Sequence, residues 1–125
     1  MKRLISTSNA PAAIGPYSQA VIINDMVYTS GIIPINPEDG TIVNGGIKEQ
    51  ANRVLKSLAA LLKDSGTDLS KVIKTTVFIK NMEDFPLINE VYASFFTENF
   101  PARSCVEVAR LPKDVLIEIE AIAYI

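Results

Sequence analysis

Apolar residues along this chain follow two rhythms. Between Ile47 and Leu62 they recur as Ile47, Ala51, Val54, Leu55, Leu58, Leu61 and Leu62. That is the 3.6-residue spacing of one helix face, and Gly66 supplies a C-terminal stop. The spacing predicts a helix over 47–65, with Lys48, Glu49, Lys56 and Lys63 on its solvated side. A second helix is predicted over 84–97, with Phe85, Ile88, Tyr92, Phe95 and Phe96 as its apolar face. Asn81 or Asp84 is placed to cap it, Pro86 fits its first turn, and Asn89 lies beside the stripe.

Elsewhere the rhythm is two. The β-branched and aromatic run over 72–80 predicts a strand. Residues 20–30 read as a hairpin turning at Asn24-Asp25 and ending at Ser30-Gly31. Residues 101–123 read as two strands joined by a short turn over 111–114. In the first, Arg103, Cys105, Glu107 and Ala109 share a face, because successive strand side chains alternate. In the second, Ile117, Ile119, Ala121 and Ala123 form an apolar face, opposite Leu116, Glu118, Glu120 and Ile122. Residues 9–19 and 34–46, rich in Pro and Gly, read as loops, the latter with a small hairpin at Asp39-Gly40. The order β-β-α-β-α-β-β predicts a single α+β domain over 1–125, a mixed sheet with both helices on one face. The uncovered face is expected to carry Arg103, Cys105, Leu116 and Ile122, too apolar to stay wet, which predicts self-association.

Composition narrows the chemistry. The chain has 125 residues, a net charge of -2, no histidine and one cysteine. Without histidine, Ser-His-Asp triads, Cys-His dyads and His-ligated metal sites are excluded. A single cysteine allows no intrachain disulfide. The acidic balance gives no attraction to nucleic acid. No apolar run reaches the ~20 residues of a membrane span, and the first residues lack a signal-peptide core. A cytoplasmic protein with no membrane association is expected.

Acid–base work then falls to Glu, Asp, Tyr, Lys or water. Glu118 and Glu120 are two carboxylates set among aliphatic residues, near the Arg103 guanidinium. Together they suit the holding and attack of a small anion. Periodicity does not separate Glu118 from Glu120, and Arg103 reads equally as half of a structural ion pair. Tyr17, after Gly15-Pro16, reads as a pocket wall or as a rim aromatic. Gly31 permits close approach of a ligand, or is a plain bulge. Cys105 has no histidine to activate it, so a pocket wall is the better reading. Lys80 and Lys113 read as solvated, and Ser18 has no base beside it.

The stretches NAPAAIGPYSQA, TSGIIP, KTTVFIKNMEDF and PARSCVEVARLPKDVLIEIEAIA, in that order, resemble the RidA/YjgF family of enamine/imine deaminases. The resemblance spans nearly the whole chain. It implies a chorismate-mutase-like fold, a homotrimer with sites in the clefts between subunits, and no metal or organic cofactor. It implies hydrolysis of 2-imino acids and their enamine tautomers to 2-oxo acids and ammonia, in protection of pyridoxal-phosphate enzymes. It places the carboxylate-binding arginine at Arg103, the water-activating glutamate at Glu118 and the neighbouring cysteine at Cys105. It also places Tyr17, Ser30, Gly31 and Asn89 in the pocket. One departure stands out: many members carry glutamine where this chain has Ile32. A regulatory trimer that binds small carboxylates is the alternative function. An RNA-cleaving role, also attached to relatives, fits poorly with the acidic charge and the missing histidine.

Overall fold

A computed structural model describes residues 1–125. Its strands are β1 (Arg3–Ile5), β2 (Ala20–Ile23), β3 (Met26–Thr29), β4 (Val72–Ile79), β5 (Ala102–Glu107) and β6 (Ile117–Tyr124). Its helices are α1 (Ile47–Asp64) and α2 (Phe85–Phe95). The predicted order therefore holds, with β1 added in front. Three residues are too few for a readable period, so pairing with β2 is what makes β1 a strand.

The six strands form one mixed sheet in the order β1-β2-β3-β6-β4-β5. Only β4 and β5 run parallel, joined across α2. Asn24 and Asp25 adopt φ of 49° and 61°, the left-handed pair that a tight two-residue hairpin requires. The small hairpin at Asp39-Gly40 also forms: Ile35 bridges Ile42, and Gly40 sits at φ 75°.

Both helices cover one face. The buried stripe of α1, including Val54, Leu55, Leu58, Leu61 and Leu62, packs with Val77, Ile79, Ile117, Ile119 and Ala123 in one core. Truncating a leucine such as Leu58 to alanine in a core of this kind costs about 2–5 kcal/mol. The Gln50 side chain reaches from α1 to accept the Leu116 amide at 2.8 Å, which ties the helix to the start of β6. Glu49 caps α1 by accepting the Gly46 amide at 2.8 Å. The cap expected for α2 differs: neither Asn81 nor Asp84 makes a side-chain capping bond. Instead, the Glu107 carboxylate accepts the Met82 amide at 2.7 Å just ahead of the helix.

The two closing strands are not neighbours, because β4 lies between them. This corrects the expected face of Arg103 and Cys105. Parallel pairing sets Arg103 beside Thr75 and Cys105 beside Val77. Both β4 residues are buried, and the Thr75 hydroxyl is hydrogen-bonded to Tyr92 of α2 at 2.7 Å. Arg103 and Cys105 therefore emerge on the helix-covered side. Leu116 also packs against the core rather than on the bare face. Ile122 does lie on the bare face, paired with Tyr28 and Lys74. With it lie Leu4, Val21, Ile23, Tyr28, Val106 and Tyr124, several of them substantially exposed. The uncovered face is apolar as predicted, but of the four expected residues only Ile122 lies on it.

Candidate functional site

The guanidinium of Arg103 is held on three sides. Its Nη1 donates to Asn89 Oδ1 at 2.8 Å. Its Cζ lies 4.8 Å from the Tyr92 ring centroid and 5.2 Å from that of Phe85. Phe85, Asn89 and Tyr92 stand at i, i+4 and i+7 on α2, so one helix face supplies the whole seat. The Thr75–Tyr92 hydrogen bond fixes that face against the sheet. The protein's two ion pairs are Lys48–Glu90 and Arg110–Asp114, and neither involves Arg103. A guanidinium has five N–H donors, and Asn89 takes one of them. This half-buried fork has no carboxylate partner within the chain.

Cys105 is half-buried on the same side of β5. Burial raises its thiol pKa, and the nearby Arg103 charge opposes that rise only in part. The thiolate is therefore disfavoured, which agrees with a wall rather than a nucleophile.

Glu118 stands on the other face of the sheet. It pairs with Phe78 of β4, out of phase with the core-facing Val77 and Ile79. Its carboxylate lies directly over Gly31, so closely that a Cβ at that position would collide with it. The close approach that glycine permits here is to the chain's own glutamate. Ile32 is bridged to Ile119 by a reciprocal pair of backbone hydrogen bonds of 2.8 and 3.1 Å, which hold the Gly31 segment against β6. Ser30 is fixed by its amide to Gln19 O at 2.9 Å and by its hydroxyl to Ser18 O at 2.6 Å. Burial raises the Glu118 pKa from its ordinary value, and the Glu120 charge two residues on adds to the rise. Glu120 itself is exposed and pairs with Thr76. Environment thus separates the two carboxylates that periodicity left equivalent.

Tyr17 belongs with Ser30 and Gly31. The three line a cavity of about 180 Å³ whose other walls include Ile14, Ile32, Ile33, Ile35 and Leu61. Neither Arg103 nor Glu118 lines this cavity. Gln19 holds its near wall: the amide donates to Thr7, Ala10 and Pro11 carbonyls and accepts the Thr7 N–H.

The seven expected residues thus fall into two groups. Arg103, Asn89 and Cys105 form one group on the helix-covered side of the edge strand. Tyr17, Ser30, Gly31 and Glu118 form the other, centred on the Gly31–β6 junction. Within one chain they do not share a cavity. The rings of Phe85 and Tyr92 are the part of the arginine seat that sequence reasoning assigned only to the core. Their spacing around Asn89 was the available signal. No cluster of three or more His, Cys, Asp or Glu side chains is present. No helix is long and apolar enough to cross a membrane.

A family described as endoribonuclease L-PSP matches residues 7–125. The chain belongs to the RidA/YjgF family. It is 52% identical over 126 residues to the Escherichia coli 2-iminobutanoate/2-iminopropanoate deaminase, covering 98% of both chains. The human protein of the same name is 48% identical, covering 98% of this chain and 90% of its own. Among solved structures, Escherichia coli TdcF with bound serine superposes with a TM-score of 0.94 at 48% identity, covering 98% of both chains. RidA from an Antarctic Psychrobacter reaches 0.95 at 41% identity, covering 98% of this chain and 99% of its own. The six-stranded mixed sheet with two helices is the RidA architecture.

Proposed function

We propose that this protein hydrolyses small 2-imino acids, such as 2-iminobutanoate and 2-iminopropanoate, to 2-oxo acids and ammonia. The observation that carries the reading is the Arg103 guanidinium, seated by Asn89, Phe85 and Tyr92 and left without a carboxylate of its own. The roughly 50% identity to named deaminases supplies the reaction.

Arg103 grips the substrate carboxylate as a planar, two-pronged pair, which fixes the C2 carbon in place. Glu118, as a carboxylate, takes a proton from water while the oxygen adds to C2 of the C=N bond. The nitrogen gains that proton, Glu118 then relays the remaining hydroxyl proton of the adduct to it, and it leaves as ammonia as C2 becomes a carbonyl. The raised Glu118 pKa makes this carboxylate a stronger base than an ordinary glutamate. Backbone groups of Ser30 and Gly31 hold Glu118 and the substrate nitrogen in register, Tyr17 closes one wall, and Cys105 serves as a wall opposite. Water and proton transfer suffice for the step, so no cofactor is called for.

The two residue groups meet in this reading only when a second copy brings its Arg103 to the first copy's Glu118. The uncovered apolar sheet face provides the contact, and a homotrimer with three clefts satisfies every copy equally. Two carboxylates on that face, Glu118 and Glu120, make it a poor platform for an RNA phosphate backbone.

The test is ammonia release from 2-iminobutanoate generated in place by a pyridoxal-phosphate-dependent dehydratase. Release above the solvent rate supports deamination. Tight binding of small carboxylates with no acceleration would favour the regulatory reading instead.

A further inference from the structure

A second groove, of about 690 Å³, lies along the exposed side of α1, away from Arg103 and Glu118. The helix lines it with Arg53, Ala60, Lys63 and Asp64, and two loops add Asn9, Glu38 and Asp39. Only Ala60 and Pro37 bring side chains without a polar group, and no aromatic ring is present. A nucleobase would find nothing to stack on. The groove suits a small, wholly polar molecule.

Two of its three carboxylates are already engaged. Asp64 accepts the Thr7 hydroxyl at 2.6 Å and the Asn9 amide at 2.9 Å. Asp39 accepts the Thr41 backbone amide at 2.9 Å and its hydroxyl at 2.7 Å. Neither of the protein's two ion pairs includes Arg53, Lys63 or Glu38. Arg53 Nε is buried with no acceptor, and the fully buried Ser57 hydroxyl has no partner either. These are the only two buried side-chain nitrogen or oxygen atoms so left in the chain. Arg53, Ser57, Ala60 and Asp64 stand at i, i+4, i+7 and i+11 on α1, so both orphans belong to the stripe that lines the groove. Buried polar groups are normally paired, and here the unmet capacity gathers at one place.

We infer that this groove binds a free α-amino acid with a polar side chain, its carboxylate held by Arg53 and Lys63 and its ammonium by Glu38. A carboxylate lying side-on to a guanidinium takes the Nε and one Nη hydrogen together, which gives Arg53 Nε its acceptor. A bare anion such as phosphate would face Glu38, Asp39 and Asp64 with nothing to offset the repulsion. A zwitterion turns the free carboxylate among them into an attraction. The inference is independent of the deaminase reading, because neither Arg103 nor Glu118 lines the groove.

The experiment titrates the ¹⁵N-labelled protein with L-glutamine, with its des-amino counterpart glutaramate, with L-leucine and with inorganic phosphate. Backbone amide shifts locate each ligand. The expected result is saturable shifts over 36–39 and 53–64 with glutamine, and weaker binding there of the other three. Shifts around Asn89 and Arg103 report the other site separately. Arg53→Gln is expected to weaken glutamine binding at the groove by about tenfold or more, through the loss of a charge-assisted pair. Glu38→Gln, at an exposed position, is expected to weaken it roughly two- to fivefold and to leave glutaramate unaffected. Melting curves confirm that each variant is folded. Glutaramate, leucine or phosphate binding these amides as tightly as glutamine overturns the inference. So does glutamine that shifts only the Arg103 surroundings or nothing, or affinity unchanged in both folded variants.

Discussion

At the scale of single residues, the two charged groups differ in what holds them. Arg103 is positioned by side chains, two rings and an amide, and its geometry matters as much as its charge. Arg103→Lys keeps the charge and loses the fork. Each charge-assisted hydrogen bond is worth about 1.5–3 kcal/mol, so kcat/KM is expected to fall by roughly one to two orders of magnitude. Steady-state kinetics on 2-iminobutanoate checks this; full activity would remove Arg103 from the mechanism. Glu118 is positioned by a missing side chain, at Gly31. Gly31→Ala is expected to push the carboxylate aside and cut kcat with little change in melting temperature, because the far end of a glutamate is free to move.

The raised pKa of Glu118 carries two signs that can be worked out. As the proposed base it must be ionised, so activity is expected to fall as pH drops through its elevated pKa. Glu120 contributes to that elevation, so Glu120→Gln is expected to move the acid limb of the kcat profile to lower pH. For stability, the fold favours the protonated form. That contribution is intact below the ordinary glutamate range and is lost as pH rises through the folded-state pKa. Glu118→Gln, which cannot ionise, is therefore expected to lose about 10²–10⁴-fold in turnover while melting higher than wild type near pH 7. The melting difference should close on acidification, as thermal scans across pH would reveal.

At the scale of elements, α2 does more than cover the sheet. Its Phe85–Asn89–Tyr92 face reaches Arg103 on β5, and the Thr75 hydroxyl on β4 locks Tyr92 in place. Tyr92→Phe leaves a buried hydroxyl on Thr75 without its partner, which costs about 1–3 kcal/mol. The expected outcome is a lower melting temperature together with a raised KM, since the seat of the guanidinium loosens with the helix. A stability loss with unchanged KM would separate the helix from the site. Both helices and five of the six strands were legible as elements, though α2 ends at Phe95, two residues short of the expected 97. The α1 stripe from Ile47 to Leu62 and the turn at Asn24-Asp25 encode their structures locally, in a period and in two residues that tolerate positive φ. The Arg3–Ile5 strand was not legible, because only its partner β2 makes it one.

At the scale of the whole molecule, Arg103 and Glu118 of one chain face away from each other. A proposed trimer that unites them across subunits makes a specific demand. Mixed after unfolding and refolding, Arg103→Lys and Glu118→Gln proteins should regain roughly a quarter of wild-type activity. That is the chance that a random cleft draws its arginine and its glutamate from the intact copies. Activity that stays at the level of the separate variants would place both residues in one protomer's site, against the geometry.

The sequence by itself determined the elements, the partition of each strand into two sides and the residues able to do chemistry without histidine. Those are consequences of local periodicity and residue type. Tertiary structure alone decided which side of the sheet each partition faced. The alternation in 101–107 puts Arg103 and Cys105 together, but only parallel pairing with β4 sets them beside the core-facing Thr75 and Val77. Strand pairing is a contact between distant segments, and a shift of one residue exchanges the two faces without altering the pattern along the chain.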